Sequence, residues 1–329
     1  FTAGYKKMGA FQGNIAEAVK RELLDPRFLS RNKFGYAGRV FYVLPTTATN
    51  YTQFAEDHPD YRSGDGVVTA AAVYNTIDAA IGACTADQGD VIYVMSGHVE
   101  TVTAASGVAA DIAGISIVGV GNGQNRPRVN FTTATTATFV VTGANTWIEN
   151  VVFTGGFDAL VGPIGIRAAD CTMLNCLYRD VTGQATDVIL TTAAATRFRL
   201  LNYRHEGATA AGANSAVALV GSDDCEIGGI YIDGNFAVGA IDVRTTAVLN
   251  LWLHDFTIRT RNAADIALID TVTGSTGMIE NGFLRLQDNA ANITEAITGA
   301  TWVFSDNIWV VNLAGEKAML YNAVASTDA

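Results

Sequence analysis

Charge is scarce in this chain. Asp, Glu, Lys and Arg make up 16% of 329 residues, against 49% hydrophobic, too little charge and too much apolar material for a disordered chain. Only five prolines interrupt it. There is no apolar run of about eighteen residues, so no membrane-spanning helix is expected. The first twenty residues carry Lys6, Lys7, Glu17 and Lys20 without an apolar core; they read as no signal peptide, and synthesis in a cytoplasm without Sec export is expected. The four cysteines, Cys84, Cys171, Cys176 and Cys225, show neither CxxC spacing nor nearby histidines. That argues against a zinc site or disulfide framework and for small buried hydrophobes. GxSxG, GxxxxGK and HExxH are missing, and the cluster GVGNG at 119–123 has no helix after it and reads as a turn between coils. No cofactor, no metal and no catalytic residues are expected.

Gly, Ala, Thr and Asn recur at short intervals, which suits many short strands and tight turns. A phrase of small or polar residues followed by alternating apolar ones returns along the chain, most clearly as GANTWIENVVF at 143–153. It recurs as DCTMLNCLY from 170, TRFRLLNY from 196, DCEIGGIYI from 224, TAVLNLWL from 246, GMIENGFL from 277 and ATWVFSDNI from 300, with a looser copy, AGISIVGV, from 113. Aligning the Thr before Trp147 with Thr172, Thr196, Cys225, Ala247, Gly277 and Thr301 gives steps of 26, 24, 29, 22, 30 and 24 residues. A period near 26 without a leucine-rich pattern or alternating helices indicates a β-solenoid. The expected class is all-β: a right-handed, single-stranded parallel β-helix over 89–329. Ile148, Leu174, Ile227 and Ile279 should stack inward, and Asn150, Asn175, Asn250 and Asn281 should serve as turn or stacked-amide residues.

Ahead of the coils, residues 46–88 form a linker and a capping helix. The helix is expected over 69–84, with Thr69 as N-cap and Val73, Ile77, Ala80 and Ile81 on one face. Residues 1–45 form an arm with a short helix over 14–24, whose stripe is Ile15, Val19, Leu23 and Leu24. The arm carries eight basic residues against three acids, about +5, which leaves about -16 for the rest. An acidic body disfavours nucleic acid. The arm reads foremost as a protein-binding segment, with wrapping over its own solenoid as the alternative and nucleic acid last.

Arg179, Asp180, Arg204, His205, Glu206, Asp233, His254, Asp255, Arg285 and Asp288 follow the repeated strands. They form a candidate ladder across coils, read as a solvated face of mixed charge; a weak glycan-binding or cleaving face near His205, Asp233 and His254 stays open. Trp147, Trp252, Trp302 and Trp309 fall in or beside strands, where burial is expected. A sugar-binding surface would need exposed aromatics along one coil face.

The stretch GDG at 64–66, the capping helix and GDVIYVMSGH at 89–98 resemble the opening of pectate-lyase-like β-helices. GDVIYVMSGHVETV at 89–102, DIAGISIVGVGNG at 111–123 and RPRVNF at 126–131 resemble β-helical virion proteins of tailed bacteriophages, similar to capsid decoration or cement proteins. The resemblance implies a structural virion protein on the capsid exterior, a homotrimer that binds the major capsid protein and is not an enzyme. The arm residues expected to make that contact are Lys6, Lys7, Phe11, Ile15, Val19, Leu23, Arg27, Phe28, Arg31, Phe34 and Tyr36. The alternative is a tailspike or tail fibre that binds or cleaves host-surface polysaccharide.

Overall fold

A computed structural model describes residues 38–45, 62–63, 66–67, 72–180, 185–207, 213–261, 266–286, 297–298, 301–305 and 307–311. All eleven arm residues named above, the helix over 14–24, and Asp288 lie outside these. Among the described residues the fold is all-β and parallel, as the repeat predicts. An 18-stranded sheet and a seven-stranded sheet face each other along a solenoid, with one two-stranded antiparallel piece, Arg62–Ser63 against Gly66–Val67.

Each full coil contributes two segments to the large sheet and one strand to the smaller. The first segments stack in one unbroken column: Val40, Val91, Ser116, Trp147, Thr172, Arg199, Glu226, Trp252, Met278 and Val303. From Trp147 onward the steps are 25, 27, 27, 26, 26 and 25 residues. This is more even than the sequence alignment, because Thr172 pairs with Trp147 and Arg199, not with Thr146 and Thr196, and Trp252 rather than Ala247 continues the column. The shift matters, since one residue of slip turns a strand inside out. Ile148, Met173, Leu200, Ile227, Leu253 and Ile279 make the inward column, each at most 1% exposed. Leu174, expected inside, sits one place further on and faces out.

Two columns of left-handed backbone make the corners. Before the first segment, Gly89, Gly114, Asn145, Asp170, Arg197, Asp224 and Asn250 have φ between 56° and 73°. Between the segments, Asn150, Asn175, Asn202, Gly229, Asp255 and Asn281 lie between 50° and 63°. Asn, Asp and Gly tolerate this conformation where other residues pay steric strain. Side-chain amides then tie one coil to the next: Asn175 Nδ2 donates to Asn150 Oδ1 at 3.2 Å, and Asn250 Nδ2 to Asp224 Oδ1 at 3.0 Å. The expected structural role of Asn150, Asn175, Asn250 and Asn281 is what the geometry shows. Asn175→Ala is expected to cost about 1–2 kcal/mol and Asn175→Gly less, as read from thermal unfolding midpoints. The cluster GVGNG lies at this same corner, within one coil rather than between coils; Gly119 and Gly121 accept hydrogen bonds there from Asn150.

The capping helix is shorter than expected. It spans Ile77–Ala83, with Thr76 rather than Thr69 as N-cap; the Thr76 hydroxyl accepts from the Ala79 amide at 3.2 Å. Val73 and Tyr74 are extended and pair with Val40–Val43, because a neighbouring edge offers them a ladder. Ile77, Ala80 and Ile81 face the core with Phe41, Val43, Ile92 and Val94. Asp78 accepts from the Ala109 amide at 3.0 Å, satisfying a donor at the edge of the seven-stranded sheet.

The strand Val40–Val43 falls in the stretch read from sequence as arm. It is wholly buried and hydrogen-bonded to Val91–Val94, and Arg39 pairs with Asp90 at 3.2 Å. The solenoid therefore starts by Val40. The four cysteines are buried and free, and burial pushes Cys84 up to about 12 and the other three to about 11. Such thiols stay protonated at neutral pH.

Candidate functional site

The outward columns of the large sheet carry its exposed chemistry. On the second segment the register stacks Arg179, Glu206, Asp233, Arg259 and Arg285. Arg179 Nε donates to Glu206 at 2.5 Å and Arg204 Nε to its other oxygen at 2.7 Å. Arg261 makes two bonds to Asp233, at 2.5 and 2.7 Å, with Arg259 at 3.7 Å. Burial alone would raise the Glu206 carboxyl, but its hydrogen bonds and charge contacts with Arg179 and Arg204 hold it below the usual range. This part of the ladder is a set of ion pairs, four guanidiniums around two carboxylates. A second such set, Arg244 between Asp187 at 2.7 Å and Asp242 at 3.1 Å, sits on the seven-stranded sheet.

His205 does not belong to that ladder. It points inward between Tyr178 and Ile232 in the stack, 1% exposed, its ring 5.4 Å from that of Tyr178 and nearly parallel to it. Strand alternation explains this: Arg204 and Glu206 face out, so the residue between them faces in. Asp180 accepts from the Tyr178 hydroxyl at 2.9 Å. His254 and Asp255 lie on the first segment and its corner, away from Asp233. There Trp252 stacks on His254 at 4.1 Å, and His254 Nδ1 lies 2.8 Å from Asp255.

Burial was expected for all four tryptophans, and the structure corrects this for two. Trp302 is buried at 7%, and Trp147 is half-buried beside Glu149. Trp252 is 43% exposed and Trp309 69%, because both occupy outward positions of their strands. Trp309 is the register partner of Phe283, itself 40% exposed, on the preceding rung. These rings border a groove of about 480 Å³ lined by Asp255, Phe256, Thr257, Asn281, Gly282, Phe283, Asn307 and Trp309. The groove is the aromatic coil face that a sugar-binding surface requires, and periodicity could have located it: each of these rings flanks an inward aliphatic residue.

Among the described residues, no three His, Cys, Asp or Glu side chains are grouped to hold a metal ion, and no helix is long and apolar enough to cross a membrane.

No family model matches the chain, and no curated protein matches it. Among solved structures it is similar to a rhamnogalacturonan lyase, at a TM-score of 0.44 and 14% identity, over 84% of this chain and 74% of that one. A likeness of this degree concerns architecture and transfers no residue and no substrate. The expectation that the chain is not an enzyme is withdrawn: one scaffold hosts catalytic and structural proteins alike, so missing motifs are no ground for excluding activity.

Proposed function

We propose that this chain is a structural virion protein, a capsid decoration or cement protein made in the host cytoplasm, that sits on the capsid exterior as a homotrimer. Residues 1–37 hold it to the major capsid protein. One observation carries the reading: the two ends of the solenoid are built differently. At the N-terminal end, outward residues Val40, Tyr42, Val91 and Tyr93 are buried in a second apolar cluster, and the helix Ile77–Ala83 closes the core. The same column at the far end, Trp252, Met278 and Val303, is bare. The arm thus leads into the end at which these outward residues are buried. With Arg39 paired to Asp90 at the start of the solenoid, residues 1–37 keep seven basic residues against three acids. Such a segment suits an acidic, grooved protein surface. The phage context rests on the sequence resemblance.

The test is co-sedimentation with purified capsid shells of full-length protein and of a variant lacking residues 1–37. A cut after residue 45 would remove a core strand and confuse binding with folding. Full-length protein is expected to pellet with shells; the truncated form, with an unchanged far-UV spectrum and melting midpoint, is expected to stay in solution. Undiminished binding by the truncated form would sink the reading. A tailspike or tail fibre acting on host polysaccharide is the second reading, favoured by the aromatic groove.

A further inference from the structure

Five of the eight large hydrophobic side chains exposed among the described residues, Trp252, Met278, Phe283, Val303 and Trp309, sit on the last three rungs of the large sheet. Apolar exposure gathered in one place marks a binding surface, whereas single exposed residues do not. Its chemistry is not uniform. Met278 and Val303 lie on the first segment, while Phe283 and Trp309 lie across the corner on the second, where polar groups of the groove surround them.

That groove is held open by its own packing. A Cβ at Gly282 would stand 2.0 Å from Cζ of Phe256, so the Phe256 ring below requires glycine on this rung and the floor between Asn281 and Phe283 stays bare. The corner beside it is fixed. Asn281 Nδ2 donates to one oxygen of Asp255, and His254 Nδ1 faces the other at 2.8 Å. These two bonds hold the Asp255 carboxyl below the usual carboxylate range, so it stays an acceptor at ordinary pH.

The result is two aromatic residues on successive rungs, whose strands lie about 4.8 Å apart along the solenoid, bordered by one carboxylate and the amides of Asn281 and Asn307. An apolar partner would strip water from the hydrogen-bonding capacity these groups do not use on one another, at a cost. A pyranose matches both halves of the lining: its C–H face packs on an aromatic ring, and its hydroxyl edge exchanges hydrogen bonds with amides and carboxylate. The fixed charge of Asp255 disfavours acidic sugars.

We infer that the groove formed by Asp255, Asn281, Phe283, Asn307 and Trp309 binds a neutral polysaccharide, its chain lying along the solenoid axis with successive sugar rings on successive rungs. The inference stands apart from the capsid reading, since failure of shell binding leaves the groove as it is.

The test is titration of the full chain with cellohexaose, maltohexaose, laminarihexaose and dextran, followed by calorimetry and by the tryptophan fluorescence lost in Trp309→Phe. At least one probe is expected to bind and to shift the Trp309 emission. Trp309→Ala and Phe283→Ala should each weaken that binding at least tenfold, with far-UV spectra unchanged and, for the more exposed Trp309, an unchanged melting midpoint. No binding of any probe at millimolar concentration overturns the inference. So does an acrylamide quenching of Trp309 that rises when the protein is diluted, which would mean that a second copy covers the groove. A rise in quenching on removing residues 312–329 overturns it equally, with the chain's own C-terminus as the occupant.

Discussion

Replacing His98 by alanine is expected to destabilise the N-terminal end of the solenoid by roughly 2–5 kcal/mol, the cost of taking a hydrogen-bond partner from two buried polar groups. The ring is 0% exposed. Its Nδ1 lies 2.7 Å from the Leu44 carbonyl oxygen and its Nε2 3.0 Å from Glu100 Oε2. Both ring nitrogens are thus engaged, one with a carbonyl and one with a carboxyl group, and all three groups are shut off from water. The same Glu100 oxygen accepts from the Ile77 amide at 2.7 Å, at the start of the capping helix. One pair thus joins three elements: the end of the first strand, the strand Val99–Val102 and the cap. Alanine would leave a carbonyl and a carboxylate buried without their donor. A double variant, His98→Leu with Glu100→Met, is expected to lose less than the two single changes together. Because solenoids unfold in parts, the measurement is hydrogen exchange over residues 40–44 and 77–83, alongside the denaturation midpoint. A His98→Ala protein within 1 kcal/mol of wild type over these segments would refute the assignment.

Acid is expected to unfold the middle coils through His205. Burial pulls this imidazole down to about 3, against the opposing charges of Asp233 and Glu206. The unfolded chain takes up a proton near 6.5, while the folded chain refuses it until about pH 3. Stability is therefore complete above about pH 6.5 and is lost as the pH falls, at up to about 1.4 kcal/mol per pH unit. Over the whole window this approaches about 5 kcal/mol. Phenylalanine at this position keeps a ring against Tyr178 and has nothing to protonate. Melting midpoints of wild type and His205→Phe from pH 7 to 4 should diverge steadily, the variant falling less. Parallel curves would show that other groups set the acid limit.

Much of the fold was legible from local chemistry. The repeated phrase requires only that small or polar residues occupy corners and aliphatic ones alternate, and the left-handed φ of Asn145, Asn150, Asn175, Asn250 and Asn281 is why Asn marks each coil. The capping helix announced itself through Ile77, Ala80 and Ile81, but its start did not. Val73 and Tyr74 satisfy a helical stripe and a strand equally well, and the partner that chose the strand, Val40–Val43, lies some thirty residues away. The ladder residues Arg179, Glu206 and Asp233 were found because charges at outward positions repeat with the coil. His205 was misplaced because a string of polar residues hides the alternation that sends the middle one inward.

By itself the sequence determined the architecture, since the coil period, the corner residues and the apolar alternation are local properties that each repeat carries. Only the tertiary structure decided the register between coils. That depends on how loops of unequal length close, and loop closure costs too little per residue to leave a pattern in the sequence. Register in turn put Trp309 on Phe283, opened the rung at Gly282 and turned Trp252 to solvent. Exposure was decided there as well: Val40 and Val303 share one column, yet the first is wholly buried and the second 62% exposed.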